Sequence, residues 1–464
     1  MEAIAVIAGI VGLIWGAVVF LRGGQLGGCL AVLLAGTCFS VPFDKIELGP
    51  LPLTADRVLL VLLVGQYFVW RRWGLADPKP LGKPEIILLV FTGMMVLSTF
   101  SSDWEAFHCQ PVSWLIIYYL MPAVIYWIAR QAKLSSRAVL AVFGCLAIFG
   151  VYLAVTSLAD YFQAWWLVFP KYIVTTAMDS NAEFVGRGRG PLLHPIGNGM
   201  LLAICLASTL FWWPRLNRVG QLAILPVTLL LLAAVYCTLT RSVWIGGMLT
   251  LVLVLGLAIP WNWRLPLLGS GLLVAGLVSM TQWEQLLAFK RDKALGAEKT
   301  AESVELRPIL AVVTWHMFLD RPLFGCGYSQ YKTEHLNYVS DRSTALPLER
   351  ARGYIPHHVV FSLLTETGLV GLGLFVAMLT YWARDAWRLW RDTAVPLWGR
   401  QQALLLLVAL GVYLLNGMFH DVSVVPMANM TLFFLAGVTA GLRPRVALPA
   451  SADGQNVSSV VWPA

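Results

Sequence analysis

Charge is what this chain has least of. Asp, Glu, Lys and Arg make up 12% of its 464 residues, while 58% are hydrophobic. A soluble globular domain carries about a quarter charged residues, so an ordinary water-facing surface is excluded. Also absent are a Cys-x-x-Cys pair, an Asp-x-Asp pair, an HExxH run and a Walker loop. Without them no motif calls for a disulfide framework, a zinc site or a metal-held nucleotide-sugar donor. Nothing here asks for a cofactor or a metal. Of the seven cysteines, Cys29, Cys38, Cys145, Cys205 and Cys237 sit inside apolar runs. Cys109 and Cys326 lie in loops and read as free thiols, a bridge between them being the alternative. No internal repeat is evident, and no polar stretch is large enough to fold alone.

What the chain has instead is a series of apolar runs about 20 residues long, the length that crosses a bilayer as a helix. They fall near 3–21, 26–42, 54–70, 84–100, 112–129, 137–158, 196–213, 220–238, 242–259, 265–281, 358–380, 401–419 and 423–441. The fold expected is therefore an all-α polytopic membrane protein with about 12–13 transmembrane helices. The first run lacks a charged leader and a small-residue cleavage site, so it reads as a retained helix. Lys and Arg concentrate in alternate short loops, including Arg71, Arg72, Lys79, Lys83, Arg130, Lys133, Arg137, Arg384, Arg388, Arg391 and Arg443. These loops are expected on the cytoplasmic side. The net charge of +8 is thus a topology signal and points to no nucleic-acid partner.

This orientation divides the chain into N-terminal spans (1–158), an Arg-bearing outer loop (159–195), central spans (196–281), a large outer loop (282–356), C-terminal spans (357–441) and a cytoplasmic tail (442–464). Within the large loop, Leu306 to Pro322 repeats apolar residues at helical spacing, with Pro308 near the helix start. It reads as an amphipathic helix on the membrane or over a cavity.

Four groups of residues converge on the outer side. Gly186-Arg187-Gly188-Arg189-Gly190-Pro191 sets two guanidinium forks in a glycine backbone, ahead of His194-Pro195. Arginine grips phosphate oxygens in bidentate fashion, although arginines meeting lipid headgroups are common. Thr240-Arg241-Ser242 opens a span, where the helix dipole favours an anion; snorkelling to water is the plainer alternative. His357, beside His358, heads a long apolar segment, and an imidazole there is able to take a proton from a hydroxyl. The plainer reading is one interfacial hydrogen bond. His420-Asp421 would orient an acceptor or His357, but a solvated turn is the preferred reading. Projected on a helix, His357, Phe361, Leu364, Gly368 and Gly371 share a stripe, whose glycines would admit a neighbouring helix. Glu366 falls roughly 180° away and about 13 Å deeper, as a structural hydrogen-bonding group.

These stretches resemble the O-antigen ligase and polymerase superfamily. His357 to Gly371 is similar to its His-to-Gly motif, including the Leu-x-Glu-x-Gly-Leu-x-Gly run. Pro322-Leu323-Phe324-Gly325-Cys326-Gly327 is similar to the segment that precedes it. Thr240-Arg241-Ser242 and the Arg187/Arg189 loop with His194-Pro195 complete a likeness over residues 185 to 440. His358 and His194 stand where the family usually has Asn. The resemblance implies a GT-C-like fold in the bacterial inner membrane, with the active site on the periplasmic face. It implies an inverting, metal-independent glycosyltransferase. The donor would be an undecaprenyl-diphosphate-linked glycan and the acceptor lipid A-core or another glycan. Arg187 or Arg189, with Arg241, would bind the diphosphate. His357 would be the base, with His194, His358, His420 and Asp421 on the acceptor side or behind it. A polymerase joining lipid-linked repeats would share these parts, as would a protein-glycosylating branch. A flippase of lipid-linked glycans is the rival from another class; carriers commonly show repeated halves.

Overall fold

The computed structural model describes residues 23–39, 52–103, 110–179, 184–258, 297–341 and 344–443, together with positions 266 and 269. Twelve longer helices carry the fold: α1 (Gly24–Cys38), α2 (Ala55–Arg72), α3 (Lys83–Phe100), α4 (Pro111–Arg130), α5 (Ser136–Tyr161), α6 (Pro195–Leu210), α7 (Arg218–Cys237), α8 (Arg241–Ala258), α9 (Ala297–Asp320), α10 (Val359–Arg391), α11 (Leu397–Gly417) and α12 (Pro426–Gly441). Every expected span except 3–21 and 265–281 coincides with one of them. Those two lie outside the described residues, save for the two single positions. Seven of the described helices are long and apolar enough to cross a membrane; α1, α8 and α12 are shorter apolar helices. The molecule is an all-α polytopic membrane protein.

The helix ends follow local chemistry. Pro84, Pro111, Pro195 and Pro426 stand in first turns, where the missing N–H costs nothing. Ser135 caps α5 by accepting from Ala138 N–H at 3.2 Å, and Asn217 caps α7 by accepting from Gly220 N–H at 2.8 Å. Helices α6, α11 and α12 form the centre, buried nearly all round, whereas only 17% of the apolar window of α7 is covered by protein. Gly437 of α12 lies against the Tyr126 carbonyl of α4, with no room for a Cβ between them. Small residues hold membrane helices this close.

At the basic end, Glu85 of α3 is completely buried and ties three elements together. It accepts from Tyr126 Oη at 2.8 Å and Arg130 Nε at 3.0 Å, and it pairs with Arg443. The opposite end carries the two loops.

Three expectations change here. Helix α9 begins at or before Ala297, so Pro308 lies inside it and not near its start. The proline ring is exposed there. Helix α10 begins at Val359, so His357 precedes the helix and is not on its stripe. That stripe is also broken, because Gly368 adopts φ 65°, ψ −166°, a region essentially reserved for glycine. Below the break, Leu369 to Arg391 rises about 34 Å at 1.5 Å per residue, enough to cross a bilayer alone. Among the described residues no helix fills the gap beside Gly368. The Pro322–Gly327 loop does.

Candidate functional site

Breaking a helix strands backbone N–H and C=O groups on both sides of the break, and the loop after α9 pairs with four of them. Leu369 N–H donates to Pro322 O at 2.9 Å and Val370 N–H to Leu323 O at 3.1 Å. In return Cys326 N–H donates to Thr365 O at 2.8 Å and Gly327 N–H to Glu366 O at 3.0 Å. The loop thus clamps the first turns of α10, Val359 to Thr367, as a separate piece above the long helix. Glu366 makes the structural hydrogen bond expected of it, Oε1 accepting from Tyr331 N–H at 3.4 Å.

At the head of that piece His358 is the N-cap. Its Nδ1 accepts from Val360 N–H at 3.1 Å. Burial holds the His358 ring below the ordinary histidine pKa, with Asp421 pulling the other way; the neutral form is the one able to cap. His194 caps α6 likewise, Nδ1 accepting from Gly197 N–H at 3.1 Å. Each histidine thus caps a helix through a ring nitrogen. His357 itself is exposed and lines a cavity of about 360 Å³. Arg307 and Thr314 of α9, His358, Phe361 and the turn at Met418-Phe419 share its wall. Arg307 was not singled out from the sequence. It opens the stretch to Tyr331 that resembles the family, but nothing local says which helix face meets His357.

The glycine-arginine loop is threaded between α5, α6 and α7. Gly188, at φ 55°, packs on the Cys237 carbonyl group, and its own carbonyl accepts from Asn198 Nδ2 at 2.8 Å. The two arginines go to different places. Arg189 is fully buried and forked onto Asp160, Nε to Oδ2 and Nη2 to Oδ1, each at 3.1 Å. Arg187, also buried, stacks 5.1 Å over the Phe184 ring, and its Nη2 donates to Thr240 Oγ1 at 3.0 Å. Arg187 is thereby brought to the residue preceding Arg241. Arg241 opens α8 and is exposed.

The heads of α8 and α10 lie at one end of the bundle. Gly246 of α8 packs against Asn416 of α11, and the next residue, Gly417, packs against Val359. Asp421 departs from the solvated turn expected of it. It caps a one-turn helix, Val422–Val424, by accepting from Ser423 N–H at 3.1 Å. It also accepts from the Ser362 hydroxyl. Burial raises its pKa above the ordinary aspartate value despite those hydrogen bonds. His420 beside it is half-buried. Among the described residues no three His, Cys, Asp or Glu side chains come together as a metal site. Cys326 is a free thiol, and Cys109 lies outside the described residues.

Residues 226–376, a third of the chain, match the O-antigen ligase family. The matched segment contains Arg241, Arg307, His357 and the clamped break at Gly368. The match supports the O-antigen ligase and polymerase superfamily. No curated protein matches it. Members of that family are membrane glycosyltransferase-type enzymes of polysaccharide assembly, with lipid-linked glycans in general as substrates, and the match supports that class of activity here.

Proposed function

We propose that this enzyme transfers a glycan from an undecaprenyl-diphosphate carrier to an acceptor hydroxyl, as an O-antigen ligase would. The reaction takes place on the periplasmic face of the bacterial inner membrane. One observation carries the reading: His357 and Arg307 share a cavity at the bundle end that also bears Arg241. The imidazole of His357 takes the proton of the acceptor hydroxyl as its oxygen attacks the anomeric carbon. The bond from that carbon to the diphosphate breaks, and the electron pair leaves with the lipid diphosphate. Attack from the face opposite the leaving group inverts the centre. Arg241 and Arg307 meet the growing negative charge, which fixed cations stabilise strongly away from bulk water. Arg187 positions Thr240 and the head of α8, and Arg189 holds the loop on Asp160. Guanidinium groups supply the counter-charge, so the step calls for no metal. These side chains cluster at one end of the bundle, which favours transfer over carriage through the midplane.

The test is a reconstituted transfer assay with a synthetic polyprenyl-diphosphate oligosaccharide and a hydroxyl acceptor. His357→Ala is expected to lose at least about 100-fold in rate, the scale of a missing general base. Arg241→Ala and Arg307→Ala are expected to lose a comparable factor. Full activity in His357→Ala and Arg241→Ala would discard the mechanism. Movement of the donor across the vesicle without a new glycosidic bond would favour a carrier.

A further inference from the structure

Beside the His357 cavity lies a second one, with Pro356 lining both. The transfer step described above makes no use of it. Its volume is about 130 Å³. A cavity of about 150 Å³ holds one benzene ring, so this is the scale of one sugar ring. Trp114, Tyr118, Tyr119 and Tyr328 give it flat apolar faces, and Glu366 and Asp421 give it carboxylates.

Two further groups in its wall stand out. Ser329 and Tyr331 are 3% and 2% exposed, and neither hydroxyl has a hydrogen-bond partner. A buried hydroxyl left unpaired costs stability, and here two such groups border the same small space. Ring faces with hydrogen-bonding groups at their edges match a pyranose, which has apolar C–H faces and a rim of hydroxyls. Among the described residues lining it, the two carboxylates oppose one cation, Lys332, whose ammonium lies 5.2 Å over the Trp114 ring. Phosphate and uronate are therefore disfavoured, and the diphosphate end of a donor does not fit.

We propose that this cavity binds one uncharged pyranose ring of a glycan. Its tyrosine faces hold the ring and the Glu366, Asp421, Ser329 and Tyr331 side chains bond its hydroxyls. Assigning that ring to a transferred or receiving glycan rests on the proposed function; binding itself does not.

Full-length protein in nanodiscs is titrated with methyl glucoside, methyl galactoside, methyl N-acetylglucosaminide and methyl glucuronide, followed by saturation-transfer NMR. At least one neutral glycoside is expected to bind in the millimolar range, with the glucuronide about tenfold weaker. Tyr331→Phe is expected to weaken binding by about three- to tenfold, the loss of one hydrogen bond. Its melting temperature should stay the same or rise, because the hydroxyl removed has no partner within the fold. His357→Ala should bind as the unsubstituted protein does. No binding of any neutral glycoside, equal binding of the glucuronide, or unchanged binding by Tyr331→Phe would overturn the proposal. A protein that binds the ring but transfers nothing would leave it standing and sink the transfer mechanism. In a working assay, Tyr331→Phe should raise the KM of the acceptor if the ring is the acceptor's and of the donor if it is the donor's. Both values unchanged would again count against it.

Discussion

The backbone N–H of Gly327 donates to the carbonyl oxygen of Glu366 at 3.0 Å. This bond and its neighbours join two motifs about forty residues apart in the chain, one ending the outer loop and one crossing into α10. Each motif is half of a joint. The break at Gly368 opens the helix, and the Pro322–Gly327 loop closes it.

Gly368→Ala tests the joint. A side chain at φ 65° is strained by about 1–3 kcal/mol, and the added Cβ would meet the backbone of Leu323 and Phe324. Backbone does not step aside cheaply, so the variant should unfold at a clearly lower temperature in detergent. It should also lose transfer, because His357 stands at the head of the clamped piece. Gly373→Ala, in the same helix with open space around it, is the control and should be nearly neutral. Equal melting of the two variants would mean that the loop does not brace the helix.

The bundle was legible from hydropathy because a bilayer leaves a helix no substitute for about 20 apolar residues. The joint was only half legible. Gly368 and Gly371 stood out, but their spacing fits close helix approach equally well, and the strand of backbone that fills the gap lies far away in sequence. The two histidines at His194 and His358 looked like departures from an Asn pattern. Local geometry explains them, since an imidazole nitrogen caps a helix as an amide oxygen does. Long-range pairings carried no local signal. Asp160 ends an apolar run and gives no hint that Arg189, 29 residues later, forks onto it. Arg307 was passed over, and Asp421 was read as a solvated turn, for the same reason: a charged helix residue or a short loop does not announce which cavity it will line.

Asp421 gives a pH test. Burial raises its pKa in the folded protein. A raised value means stability that is fully present below the unfolded pKa, near 3.9, and lost as pH rises through the folded value. Ionising this carboxylate as the pH rises therefore costs the fold stability. Asp421→Asn should raise the melting temperature relative to the unsubstituted protein at pH 7.5, and the gap should shrink towards pH 4. A gap independent of pH, or larger in acid, would contradict the burial argument.

The Arg189–Asp160 pair separates a structural arginine from a phosphate-binding one. Both side chains are completely buried, and each polar contact of the carboxylate is to Arg189, by backbone N–H and by two guanidinium nitrogens. Removing one partner leaves an uncompensated charge in the interior, a cost of about 3–5 kcal/mol. Arg189→Met and Asp160→Leu should each destabilise on that scale. The double variant should recover much of the loss, since a buried ion pair is often replaceable by apolar groups of similar volume. Transfer should follow the same pattern if Arg189 serves only the fold: poor in either single variant, largely restored in the double one. Arg241→Ala should behave in the opposite way, keeping its melting temperature because the side chain is exposed, while transfer falls. Thermal melts and initial rates on the same four preparations decide the matter. A double variant that is stable yet inactive would move Arg189 from the scaffold to the diphosphate.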